Sequence, residues 1–319
     1  MSFLLQDIRI AFRGLLRARS FTIVALTTLA VAIGANTAIY SVVDGVLLRP
    51  LPYPESDRVV TVALGVLPGA GGGDQAPYSD RGYWFFKNQT QAFEAFGGYE
   101  AGTPQWALTN DGPPQQVDVA AVTRSMFDVL RVEPQRGRLF TEEEDAPDGP
   151  QLALISHSLW MTRYGGDADM VGRAVELNGN SVEVIGIMPE DFEFPTRETD
   201  VWISSRLDPA SENFGGHHIR AIARLAPGTT IEGAVRDSEA LIQRFDEIGY
   251  GPQWFEGIFS GDARIVTLKD QIVGDSRQPL LILLGTVTFV LLIACSNVAN
   301  LLLVRAEART RERAVRMAL

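Results

Sequence analysis

Two stretches of the chain carry no charge. Ser20 to Val43 reads SFTIVALTTLAVAIGANTAIYSVV, and Gln278 to Val304 reads QPLLILLGTVTFVLLIACSNVANLLLV. At about 1.5 Å per helical residue, either run crosses the ~30 Å hydrocarbon core of a bilayer. Both are apolar around the whole helix, whereas a helix on a soluble domain keeps one polar face. The pattern predicts two transmembrane helices, over 20–46 and 279–304, with a large domain over 47–278 between them.

That domain reads as mixed α and β. Alternating or apolar runs at 58–64, 115–122, 151–156, 200–204, 218–225 and 263–268 predict strands. In AVELNGNSVEVIGIM, Asn178-Gly179 separates two alternating runs and predicts a two-residue hairpin turn. Thr229 with Glu232 suggests a capping box. Behind it Ile231, Ala234, Val235, Leu241, Ile242, Phe245 and Ile248 trace one helical face up to Gly249. SLWMTRYGG (158–166) predicts a shorter helix, and GVLPGAGGGDQAP (65–77) a loop.

Charge refines the picture. Arg9, Arg13, Arg17 and Arg19 precede the first span, and Arg305, Arg309, Arg311, Arg313 and Arg316 follow the second. Between residues 20 and 304 stand 19 basic and 36 acidic groups, so the middle repels a phosphate backbone and is no nucleic-acid partner. Basic clusters flanking both spans place both termini in the cytoplasm and the middle domain outside it. Arg9, Arg13 and Arg17 recur every four residues, as in an amphipathic helix lying on the lipid bilayer. An Arg-rich start before an apolar run also describes a cleaved signal peptide, but this run exceeds the ~7–15 residues of a signal core. The lone cysteine, Cys295, excludes an intrachain disulfide and reads as a small buried hydrophobe.

The spans are not uniformly greasy. Ala30, Gly34 and Ala38 form a small-residue stripe, and Asn36, Asn297 and Asn300 place amides within the bilayer. Such groups serve helix–helix packing, or line a transport path. Either role needs protein neighbours, so further membrane helices are expected.

No catalytic constellation emerges. The only lysines, Lys87 and Lys269, follow no glycine loop, so the chain has no P-loop, and any ATP hydrolysis falls to a partner. His157, His217 and His218 lack metal-ligand spacing, and no metal or cofactor is expected. TEEEDAPDG (141–149) reads as a solvated acidic turn, without the spacing of a calcium loop.

Several ordered motifs nevertheless resemble a known family. Residues 7–60, DIRIAFRGLLRARSFTIVALTTLAVAIGANTAIYSVVDGVLLRPLPYPESDRVV, resemble the start of MacB/FtsX-type ABC transporter permeases, especially the duplicated orphan permeases common in acidobacteria. MFDVLRVEPQRGRLFTEEED (126–145) and LISHSLWMTRYGGDADMVGRAVELNGNSVEVIGIMPEDFEFP (154–195) resemble the MacB-like periplasmic core domain. SNVANLLLVRAEARTRERAVRMAL (296–319) resembles the entry to the FtsX-like membrane module.

The resemblance implies an α+β fold in which two transmembrane helices flank an extracytoplasmic domain. That domain would have a porter-like lobe and an inserted β-rich lobe near 130–215. It implies a cytoplasmic ABC ATPase as partner, with Arg9, Arg13, Arg17, Arg309, Arg311, Glu312 and Arg316 as the coupling surface. Anchoring on lipid phosphates explains the same arginines. It also implies further permease helices, or a second permease copy, after a coupling helix that starts at 305–319. The chain is then an N-terminal fragment of a permease for efflux or mechanotransmission in the inner membrane. A membrane-anchored sensor or scaffold with an outer ligand-binding domain has the same topology.

Overall fold

The computed structural model describes residues 19–318 except 69–74, 111, 212–215 and 252–257. It divides into two compact units. One, Pro50–Ile272, is the outer domain; the other holds both apolar helices.

In the membrane unit, helix α1 (Arg19–Val43) widens into a π-turn at Asp44–Leu48, closed by Arg49 N–H donating to Asp44 O at 2.9 Å. The second apolar segment lies in one long helix of 51 residues, Leu268–Ala318. No break marks the expected borders at 279 and 304. Pro279 sits inside it and removes one backbone donor from the ladder. The windows long and apolar enough to cross a membrane are Thr22–Leu48 and Ser276–Val304.

The outer domain starts from a short open sheet. Its strands are β1 (Val59–Val66), β3 (Phe93–Glu100), β11 (Ile219–Leu225) and β12 (Phe259–Thr267), in the order β3-β11-β1-β12, all antiparallel. A two-residue β2 (Gln75–Ala76) extends β1. Alternation assigns the faces. Val60, Val62 and Leu64 join Ala221, Ala223 and Leu225 in one core. There helix α2 (Asp80–Gln89) and helix α5 (Ile231–Ile242) cover the sheet with Tyr83, Phe86, Leu241 and Ile242. Helix α5 is capped by Thr230, whose side chain accepts from Gly233 N–H. The expected cap, Thr229, is therefore one residue off. The helical face does not run unbroken to Gly249 either: it passes into a 3-10 turn at Phe245–Ile248.

The second lobe is a closed barrel. Its strands are β4 (Gln105–Leu108), β5 (Gln115–Val122), β7 (Leu152–Ile155), β8 (Ala174–Leu177), β9 (Asn180–Ile187) and β10 (Thr199–Ser204). They pair in the circuit β4-β5-β10-β7-β9-β8 and back to β4, because β10 pairs with both β5 and β7. The two-residue β6 (Arg136–Gly137) adds to β9 outside this circuit. The barrel opens at Gln105, well before the expected border near 130. Its first strand, QWAL, is too short to show alternation.

Leu108, Val117, Ala153, Val184 and Val201 fill the interior. Helix α4 (His157–Tyr164) closes one end with Leu159 and Trp160, capped by Ser156 and ended by Gly165 at φ +60°. The β8–β9 hairpin turns on Asn178 and Gly179, both at positive φ, as the sequence predicts. A third core joins the barrel's outer wall (Leu154, Trp202) to the other face of the open sheet through Met126 and Phe127 of helix α3 (Arg124–Leu130). Gly97 admits this helix, for a Cβ there would stand 2.5 Å from Met126 Cα.

Candidate functional site

The chain enters and leaves the outer domain on neighbouring strands. β1 follows the first apolar helix and β12 leads straight into the second; in the sheet Val60 is the partner of Thr267. Thr267 also starts the long helix: its Oγ1 accepts from Asp270 N–H at 3.0 Å and donates to Asp270 Oδ2 at 2.7 Å. Strand thus passes into helix without a loop.

On the other strand of the junction, a charged cluster holds residues 54–58. Arg224 of β11 is fully buried on the face opposite the first core. Its Nε donates to Val129 O at 2.9 Å and its Nη1 to Pro54 O at 2.8 Å. Burial pulls its pKa down, with Arg131 adding to the effect. Around it Glu94 binds Arg58 at 2.6 Å and Arg131 at 2.7 Å. Glu55 binds the same two arginines, at 3.0 Å to Arg131. Arg58 holds Glu55 below its ordinary value, and Arg131 reinforces it. Glu55 and Arg131 both sit in the left-handed region, at φ 47° and 53°, a costly conformation for non-glycine residues that a dense set of contacts can hold. The cluster ties the segment after the first apolar helix to β3, β11 and the end of Arg124–Leu130.

Sequence reading missed this cluster. Arg220 and Arg224 share a face of β11 in an alternating strand, which reads as a solvent face. Only the packing of Arg124–Leu130 across that face buries Arg224.

The residues singled out from sequence lie elsewhere. Arg9, Arg13 and Arg17 are outside the described residues, as are the side chains of Arg309, Arg311, Glu312 and Arg316. Ala30, Gly34 and Ala38 are exposed, and nothing stands within 4 Å of a Cβ built on Gly34. The covered line of the first helix is instead Ala25, Ala32 and Val43, with Asn36 half-covered. Asn297 and Asn300 are exposed on the second helix, and so is Cys295, contrary to its reading as a buried hydrophobe.

The histidines contact neighbouring groups. His217 Nδ1 lies 2.9 Å from Pro77 O, His218 Nε2 lies 3.4 Å from Asp80 Oδ1, and His157 packs on Trp160. Among the described residues no group of three or more His, Cys, Asp or Glu could hold a metal ion. The acidic turn closes on itself, with Thr141 N–H donating to Glu144 at 2.9 Å and Arg138 gripping the same carboxylate through both terminal nitrogens.

Comparison with known proteins adds a family. The family model described as the MacB-like periplasmic core domain matches residues 22–241. The macrolide export ATP-binding/permease protein MacB of Chromobacterium violaceum is 26% identical over 302 residues, 92% of this chain and 44% of that protein. The chain therefore spans less than half the length of that relative. A domain of a permease protein from Porphyromonas gingivalis is similar in fold, with a TM-score of 0.50 at 19% identity over 68% of this chain and 93% of that one. The periplasmic region of MacB from Actinobacillus actinomycetemcomitans gives a TM-score of 0.46 at 14% identity, over 70% and 94% of the two chains.

Proposed function

We propose, since this chain belongs to the family of MacB-like periplasmic core domains, that it is the permease part of an ABC-type transporter and relays the motion of a cytoplasmic ATPase to its outer domain. The observation that carries this reading is the pairing of Val60 with Thr267. Both membrane connections reach one strand pair, so a change in the separation of the apolar helices loads that pair first. Burial and ion pairing make the receiving segment stiff: Arg224 and the Glu55–Arg58–Glu94–Arg131 cluster bind residues 54–58 to three other elements. A stiff junction passes displacement on, whereas a loop would absorb it.

In this reading the basic segments face the cytoplasm. Arg9, Arg13 and Arg17 and the later group Arg309, Arg311, Glu312 and Arg316 dock the ATPase. The open stripe of Ala30, Gly34 and Ala38 and the exposed Asn297 and Asn300 receive further permease helices or a second permease copy, because bare lipid leaves amides unsatisfied. The work done on the outer domain is efflux or mechanotransmission.

The test is reconstitution of the chain in nanodiscs with a MacB-type ATP-binding subunit. The reading expects co-purification and ATPase stimulation, and a loss of about tenfold for the double variant Arg309→Glu, Arg316→Glu with membrane insertion unchanged. Equal ATPase rates with and without the chain contradict it.

A further inference from the structure

The barrel has two ends, and among the described residues only one is plugged. Helix α4 fills the first. At the other a cavity of about 60 Å³ opens between Trp106 of β4, Gln151 beside β7, Val182 of β9 and Ile203 of β10. The next residues inward on these strands, Leu108, Ala153, Val184 and Val201, are packed core and form its floor. At roughly 10–15 Å³ of such volume per water, it has room for about four to six waters, the bulk of a phenyl or branched butyl group. This is far below the several hundred Å³ that bury a drug-sized molecule.

The rim carries one cation. Arg206 lines the cavity and follows β10 with its backbone in the left-handed region, φ +48°. That conformation is uncommon for a residue other than glycine and concentrates at ligand sites. Of the five N–H donors of its guanidinium, one is used, at 3.2 Å to Gly149 O, and among the described residues no carboxylate pairs with it. The neighbouring Ser204 hydroxyl is already given to Asp145. Arg206 is thus a cation with spare donors at the mouth of a cup with one apolar side, Trp106, Val182 and Ile203, and one polar side that includes Gln151 and Asn180.

The geometry points to a ligand site at the open end of the barrel for a compact hydrophobic monocarboxylate. The apolar body enters between Trp106, Val182 and Ile203, and the carboxylate meets the Arg206 fork. This goes beyond the permease reading and does not rest on it, because the pocket is built entirely within the barrel.

The test uses the full chain in nanodiscs, with benzoate and isovalerate as probes and saturation-transfer NMR as the readout. Saturable binding of at least one acid is expected, with the matching neutral amide at least tenfold weaker. Arg206→Gln should weaken the acid about tenfold, and Ile203→Trp, which fills the cup, should abolish binding. Arg206→Gln changes a half-exposed side chain, so it still reads the site if Ile203→Trp fails to fold. Absence of saturable binding by both acids overturns the proposal. Binding left unchanged by Arg206→Gln, or equal affinity for acid and amide, overturns it as well.

Discussion

Val60 and Thr267 stand opposite each other in the β1–β12 pair, nine residues beyond Leu51 on one side and one residue before the long helix begins at Leu268 on the other. The two routes to the membrane thus meet at a single rung of the sheet. Antiparallel pairing makes this possible, because it sets the start of one strand beside the end of its neighbour.

Arg224 is the residue on which the junction most depends. Arg224→Met keeps the bulk but leaves Val129 O without its donor in a buried place and Pro54 O without its donor near the surface. A buried loss of this kind costs about 1–3 kcal/mol, and a destabilisation of that size is expected. Hydrogen exchange should show it first at the amides of residues 55–60. Unchanged protection there would mean that the cluster does not hold the segment.

Gly97 is fixed by close approach. A Cβ would lie 2.5 Å from Met126 Cα and 2.6 Å from Met126 N, both backbone atoms that no rotamer change can move. Gly97→Ala is expected to cost about 1–3 kcal/mol by forcing the helix off the sheet. Thermal unfolding measures it, with Gly34→Ala as the control that leaves the outer domain unchanged.

Acid sensitivity has a definite sign. Glu144 is held below its ordinary value of 4.5, chiefly by Arg138, and Glu55 likewise by Arg58. A depressed carboxylate gives stability that is complete above its unfolded value and is lost as pH falls through its folded value. The acid limb of a melting-temperature profile should therefore begin below about pH 4.5, and Glu144→Gln should flatten it. Asp145 runs the other way. Burial raises its pKa, so its contribution weakens stability as pH rises from its unfolded value to its folded one. A Glu144→Gln profile identical to that of the parent would contradict the role given to the Arg138 pair.

The small stripe of the first helix makes a separate forecast. Nothing meets a side chain added at Gly34, so Gly34→Leu should leave insertion and the outer fold intact. If that face receives a further helix or a second copy, the same change should weaken association severalfold in a crosslinking assay. Equal crosslinking would remove the stripe from the packing account.

How much of this was legible in the sequence depended on local period. β1, β5, β7, β10 and β11, the Asn178-Gly179 turn and both apolar helices carry their signal in their own residues. β3 does not: FEAFGGYE is interrupted by Gly97 and Gly98, which exist to let Met126 and Ile219 approach. The closure of the barrel was illegible because it rests on β10 pairing with two strands distant in sequence. Arg224 reads as surface and is core, and the cavity beside Arg206 is formed by residues spread over about a hundred positions.

The most direct measurement is the separation of the two membrane connections during turnover. Spin labels at Arg49→Cys and Ser276→Cys, in a Cys295→Ala background, report it by double electron–electron resonance in nanodiscs with the ATP-binding subunit. The account predicts a shift in the distance distribution when ATP and vanadate trap the ATPase. An unchanged distribution while ATP hydrolysis proceeds would contradict it.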